Sequence, residues 1–142
     1  MSILIQQLLE QQNDKWWAKV KHSDYQFKTL IFGTEEELSS MLGENVTVEL
    51  DFYNVLQWKT LRDFTDAESC IFSANQSQSF TIRGRVHNIA EIDNGVSIVD
   101  IYIKNGVEFL AIDSQDLGGQ IPSVGVGLEL SVEGLCFYPV RT

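Results

Sequence analysis

The sequence predicts a mainly β protein, of the β-rich α+β kind, and three observations carry that prediction. The pairs Asn94-Gly95 and Asn105-Gly106 lie between runs of β-branched and aromatic residues, and Asn-Gly tolerates the positive φ that two-residue hairpin turns require. Strict alternation runs through Val46, Val48, Leu50 and Phe52, and again through Phe80, Ile82, Gly84 and Val86; this is the period of a half-buried strand. No apolar run comes near the ~20 residues of a membrane-spanning helix.

In chain order, Ser2 caps an expected helix over residues 3–12. Ile5, Leu8 and Leu9 fall at i, i+3 and i+4 there, with Leu4 four before Leu8, a spacing that suits one packed helix face. Trp16, Ala18 and Val20 alternate with Trp17, Lys19 and Lys21 to give a first strand, and Tyr25 to Phe32 a second. Thr34 and Glu37 then occupy the two positions of a capping box, with Glu35 and Glu36 in a dipole-favoured first turn and Gly43 as the stop. The alternating strand from Val46 continues toward Val55 to Leu61, which extends it or pairs with it. Residues 63–79 are polar and read as a loop. Gly84 marks a bulge or a close backbone approach within its strand. Val96 to Lys104 and Val107 to Ile112 complete a meander. Residues 113–125, with Gly118, Gly119 and Pro122, form a connection with one helical turn, and a last hairpin turns at Glu133-Gly134.

The chain of 142 residues reads as a single domain, 1–142, long enough to bury roughly 68% of its unfolded surface. Sub-structures over 1–62 and 80–142 are joined by the loop 63–79. At an offset of 80, Leu30, Val46, Glu49 and Leu50 meet Leu110, Val126, Glu129 and Leu130, a suggestion of internal repetition. Three meander strands, a connection and a closing pair over residues 80–140 resemble the oligonucleotide/oligosaccharide-binding (OB) barrel. That resemblance implies an OB-like antiparallel barrel over the C-terminal half, with the N-terminal helix and the other strands added to it. It fixes no function.

Twenty acidic and ten basic side chains give a net charge of −10, divided as −6 over residues 1–79 and −4 over 80–142. A field of that sign repels phosphate backbones and anionic membrane surfaces, so neither nucleic acid nor membrane is the expected partner; a basic protein is. Cys70 and Cys136 sit in apolar runs as reduced thiols. The N-terminal residues have no basic n-region or cleavage signature, so the cytoplasm is the expected compartment. Asn45 and Asn75 begin glycosylation-type triplets that have no signal to make them meaningful.

No catalytic, metal or cofactor motif stands out. His22 and His87 are the only histidines, neither with ligand spacing, and Gly118-Gly119 lacks the context of a phosphate loop. The expectation is a non-enzymatic acidic protein-binding module. In size, acidity and lack of motifs it is similar to small immunity or inhibitor proteins that occlude a basic toxin. The candidate partner-binding acids are Glu49, Asp51, Glu129 and Glu133. The alternative is an anionic or sugar ligand held by Arg83, Arg85 and His87, which share one strand face, with nearby aromatics such as Trp17. As ordinary cross-strand neighbours, those bases would instead pair with acids such as Asp100 or Glu108.

Overall fold

A computed structural model describes residues 1–22, 24–73, 79–104 and 108–140. Among these residues, eleven strands form a closed five-stranded barrel and a second, six-stranded sheet. The barrel begins with β1 (Ser2–Gln12), β2 (Lys15–His22) and β3 (Tyr25–Phe32). The short helix α1 (Glu35–Ser39) follows, then β4 (Asn45–Asp51). The helix starts at the expected N-cap: the Thr34 hydroxyl accepts from the Glu37 backbone N–H at 3.1 Å, the first bond of a capping box, and donates to Glu37 Oε1 at 3.1 Å. Leu38 is its one fully buried side chain.

The expected helix over residues 3–12 is therefore a strand. Ile3 and Ile5 are fully buried on the inner face, in the two-residue period of a strand. Register shifts at Gln6 and Leu9 then insert one residue each, so Ile5 and Leu8 stand three apart. Two bulges convert a strand's pattern into one that reads as helical.

The second sheet contains β5 (Asn54–Leu61), β6 (Cys70–Ser73), β7 (Ser79–Asp93), β8 (Val96–Ile103), β9 (Glu108–Asp113) and β10 (Gly127–Glu133). Its order is β5-β10-β7-β8-β9, with β6 beside the first part of β7. Residues 70–73 thus leave the expected loop 63–79 and form a strand, because Cys70-Ile71-Phe72 is apolar enough to join a sheet. A 3-10 turn over Ser114–Leu117 supplies the helical turn of the connection. The Asn94-Gly95 turn is present, with φ of 37° and 81°; Asn105-Gly106 lies outside the described residues.

The last strand, β11 (Cys136–Pro139), does not fold back on β10. It pairs antiparallel with β4 and parallel with β3, and so closes the first barrel. The closed barrel is accordingly built from N-terminal strands plus one C-terminal strand, and not from residues 80–140 alone. The Glu133-Gly134 signal marks a crossing instead of a hairpin. There the Tyr53 N–H donates to the Glu133 carbonyl at 2.9 Å. A Cβ on Gly134 would sit 2.7 Å from the Tyr53 Cβ, and its φ is 72°, so only glycine fits without strain. β4 runs on into β5 and β10 into β11, side by side and antiparallel, each pair of segments passing from one sheet to the other.

The two sheets repeat one strand path. In the barrel, Ile5 faces Val20, Gln6 bulges and Gln7 faces Lys19. In the second sheet, Val86 faces Ile101, His87 bulges and Asn88 faces Asp100. Each of these positions is 81 residues beyond its counterpart. A helical turn follows the third strand of each set, and the fourth strand returns to the first. The fifth positions are exchanged: β11 completes the barrel, and β5 lies beside β10 in the second sheet. One connected core joins both, with Phe27 of the barrel edge-on to Phe80 of the second sheet (ring centroids 5.6 Å) and 6.1 Å from Phe137.

Candidate functional site

The basic stripe of β7 is engaged within the chain. Arg83 Nε donates to Glu129 Oε1 at 2.7 Å, and Lys59 Nζ lies 3.4 Å from Glu129 Oε2. Glu129 is thus a neutralised acid between two bases. Partial desolvation acts against its charge, but Arg83 and Lys59 win and hold its carboxyl below the usual range. The same hydrogen bond raises the Arg83 guanidinium. Arg85 Nε donates to Asp66 Oδ1 (2.8 Å), Nη1 to the Gly125 carbonyl (2.6 Å) and Nη2 to the Phe64 carbonyl (2.9 Å). Its guanidinium lies 5.6 Å from the Phe64 ring centroid. These partners come from β10, from Gly125 just before it and from the segment before β6, not from Asp100; the side chain of Glu108 is outside the described set. His87 is exposed at its bulge, 5.0 Å from the Phe109 ring and 6.5 Å from that of Tyr102. The arginines and His87 share one strand but not one open site.

Of the four candidate acids, Glu49 and Asp51 face outward from β4 and are exposed. Glu133 accepts from Asn54 Nδ2 at 3.2 Å beside the crossing. Glu129 sits in its ion pairs on the second sheet. The four do not make one patch; Glu49 and Asp51 make their own, and the strand exchange supplies its other members. Tyr138 of β11 lies directly opposite Glu49, and Cys136 opposite Asp51. The Tyr138 ring packs against Phe32 of β3, centroids 5.5 Å apart, and Phe32 remains 38% exposed.

Carboxylates converge on this pair. Burial pushes the Tyr138 hydroxyl up to about 12, helped by the Cys136 thiol and then by Asp51 and Asp14. The Asp116 carboxyl is raised by desolvation, by Asp113 and by Asp51. Asp51 is therefore felt both in the barrel and by the helical turn of the second sheet. Sequence reading found Glu49 and Asp51 by alternation but missed Phe32, Tyr138 and Asp116. The placement of β11 between β3 and β4 brings Phe32 and Tyr138 beside Glu49 and Asp51, and Asp116 is reached by Asp51 from the turn of the second sheet.

Trp17 stands on the outward face of β2, its Nε1–H donating to Gln12 Oε1 at 2.9 Å. It borders two shallow clefts. One, of about 360 Å³, includes Lys15, Leu30, Tyr53, Phe80 and Glu133; the other, of about 340 Å³, includes Leu9, Glu10 and Lys28. Tyr53 is 85% exposed. Cys136 is buried and Cys70 only partly so; both thiols are free, and burial raises both. Low thiolate content makes such groups poor nucleophiles.

Among the described residues, no group of three or more His, Cys, Asp or Glu side chains is arranged to hold a metal ion. No helix among them is long and apolar enough to cross a membrane. Comparison with models of protein families, with curated proteins and with solved structures gives no match.

Proposed function

We propose that the chain is a non-enzymatic acidic protein-binding module of the immunity or inhibitor kind, which occludes a basic partner protein in the cytoplasm. The observation that carries this reading is the Phe32–Tyr138 ring pair, partly exposed and bordered by Glu49 and Asp51. Aromatic anchors ringed by polar groups are the usual form of an interface hot spot. The surrounding carboxylates would steer a basic surface toward the rings, and the net charge of −10 extends that field. The mechanism is occlusion: the rings hold the partner and the acids select it.

An immunity gene lies beside its toxin gene, so the product of the adjacent gene is the partner to test. Stopped-flow association at low and moderate salt compares wild type with Glu49→Gln/Asp51→Asn. The expected result is slower association of the double variant at low salt and convergence at moderate salt, with the dissociation rate nearly unchanged. Tyr138→Ala should instead speed dissociation. Equal association rates for wild type and the double variant at both salts would refute the assignment of these acids.

A further inference from the structure

The outward face of β2 carries a charge pattern that the fold itself does not require. Lys15, Lys19 and Lys21 lie on β2, and Lys28 on β3 directly opposite Lys19. Four of the ten basic residues of a chain with net charge −10 are thus gathered on one face. Like charges directly opposite on adjacent strands destabilise a sheet, and among the described residues none of the four lysines has an ion-pair partner.

The second sheet serves as an internal control. Its matching registers place Val96, Asp100, Tyr102 and Ala111 where the barrel has Lys15, Lys19, Lys21 and Lys28. The same strand path therefore forms with no lysine at any of the four positions.

Trp17, Lys19 and Lys21 recur at every second residue, hence about 6.6–6.8 Å apart along the strand. An extended polypeptide repeats its own side chains at that spacing. A segment lying along β2 can set one apolar residue on Trp17 and successive alternate carboxylates over Lys19 and Lys21, with Lys28 alongside. The hydrogen bond from the indole to Gln12 holds the ring in place, and the cleft that Trp17 borders with Leu9, Glu10 and Lys28 gives the apolar residue room, Glu10 standing opposite the indole on β1 and away from Lys19 and Lys21. Both edges of β2 are already paired, to β1 and β3, so the segment must lie over the face and cannot add as a strand.

We infer that the outward face of β2 is a docking surface for an extended acidic segment of a second protein, with an apolar residue on Trp17 and alternate carboxylates on Lys19 and Lys21, the first of them shared with Lys28 on the neighbouring strand. Lys15, at one end of the stripe, lies opposite Phe32, but the contacts on Trp17, Lys19, Lys21 and Lys28 involve neither Glu49 nor Asp51 and do not depend on the role assigned to them.

The test uses the full chain and a fluorescein-labelled peptide, Leu-Ser-Glu-Ser-Glu, read by fluorescence anisotropy. Saturable binding is expected, and it should weaken by roughly tenfold or more in Lys19→Gln/Lys28→Gln, because two charge contacts are lost. A peptide of the same composition with its glutamates contiguous should bind several-fold less well than the alternating one. Glu49→Gln/Asp51→Asn should bind the peptide as wild type does. The thermal midpoint of Lys19→Gln/Lys28→Gln should equal or exceed that of wild type, which separates lost binding from lost fold. Trp17→Leu, which removes the indole and keeps both charges, should weaken binding independently. Absence of saturable binding, or equal binding of the two peptides, overturns the inference. So does tighter binding of an oligothymidylate than of the peptide, which would assign the face to nucleic acid.

Discussion

In the barrel, the fifth position is filled by the four residues of β11, and Phe137 and Cys136 at its start are buried. In the second sheet, the corresponding place belongs to the eight-residue β5, none of whose side chains is buried. The short strand pairs on both sides, with β3 and β4; the long one pairs only with β10. Closure here follows the apolar area that a strand brings to the core, not its number of backbone hydrogen bonds. This accords with the burial of apolar surface as the dominant favourable term in folding. The same contrast extends to the outward faces: the barrel presents lysines and the Phe32–Tyr138 pair, while the second sheet presents His87, Tyr102 and Phe109.

The hardest test of this contrast is to truncate one large side chain on each completing strand. Phe137→Ala should cost about 3–5 kcal/mol, since the ring is fully buried against Phe27. Trp58→Ala on half-buried β5 should cost clearly less. Urea unfolding measures both, and equal losses would break the comparison.

Next in size is Gly84, whose counterpart in the barrel is the fully buried Ile3. A Cβ at residue 84 would meet Ile101 Cγ2 at 2.5 Å and the Tyr102 carbonyl oxygen at 2.7 Å. The backbone oxygen cannot swing aside, so Gly84→Ala should destabilise by about 1–3 kcal/mol. An unchanged midpoint would show that β7 and β8 can separate more easily than their packing implies.

Glu129→Gln should cost about 1 kcal/mol at neutral pH, a charged hydrogen bond discounted for the 40% exposure of the Arg83 side chain. The folded carboxyl titrates below its unfolded value. Its stabilisation is therefore complete above the ordinary glutamate range and disappears as pH falls through the depressed folded value. Wild type and variant should converge in acid; a gap that persists there would mean the loss is one of packing.

The smallest effect expected is a gain. Asp116 is raised in the folded state, so its ionised form opposes folding above that value and is neutral in effect below the unfolded one. Asp116→Asn should stabilise slightly at neutral pH and not at all in strong acid. If it destabilises at neutral pH, burial, with Asp113 and then Asp51 beside it, is not what governs that carboxyl.

Much of the local structure was legible in the residues. Thr34 and Glu37 named the start of α1, Asn94-Gly95 named its turn, and alternation placed β2, β4 and the first part of β7. The errors have a shared physical cause. Bulges at Gln6 and Leu9 stretched the apolar spacing of β1 to three, which imitates a helix. At Glu133-Gly134, positive φ suits a tight turn and a crossing equally well, and only long-range packing against Tyr53 separates the two.

The site divides in the same way. Alternation predicted that Glu49 and Asp51 would face outward. It assigned Glu129 the same exposure, yet could not foresee Arg83 and Lys59 on the flanking strands. Arg83 and Arg85 were placed correctly on one face, while their engagement with Glu129 and Asp66 depends on pairings that no local pattern encodes. Phe32 and Tyr138 meet across a parallel strand pair whose members are more than a hundred residues apart.

That separation has a consequence for the chain as it leaves the ribosome. Once β4 has emerged, the barrel still lacks the strand that seals it, and the first residue of that strand, Cys136, is 85 positions beyond Asp51. At about 5–20 residues per second, the wait lasts roughly 4–17 s. Throughout it, β3 and β4 present open edges of the kind that recruit any compatible strand. Two nascent copies held close together on one message could each offer the other what its own chain has not yet delivered. Slowing translation between residues 52 and 135 should therefore raise the yield of entangled dimers without altering a single side chain.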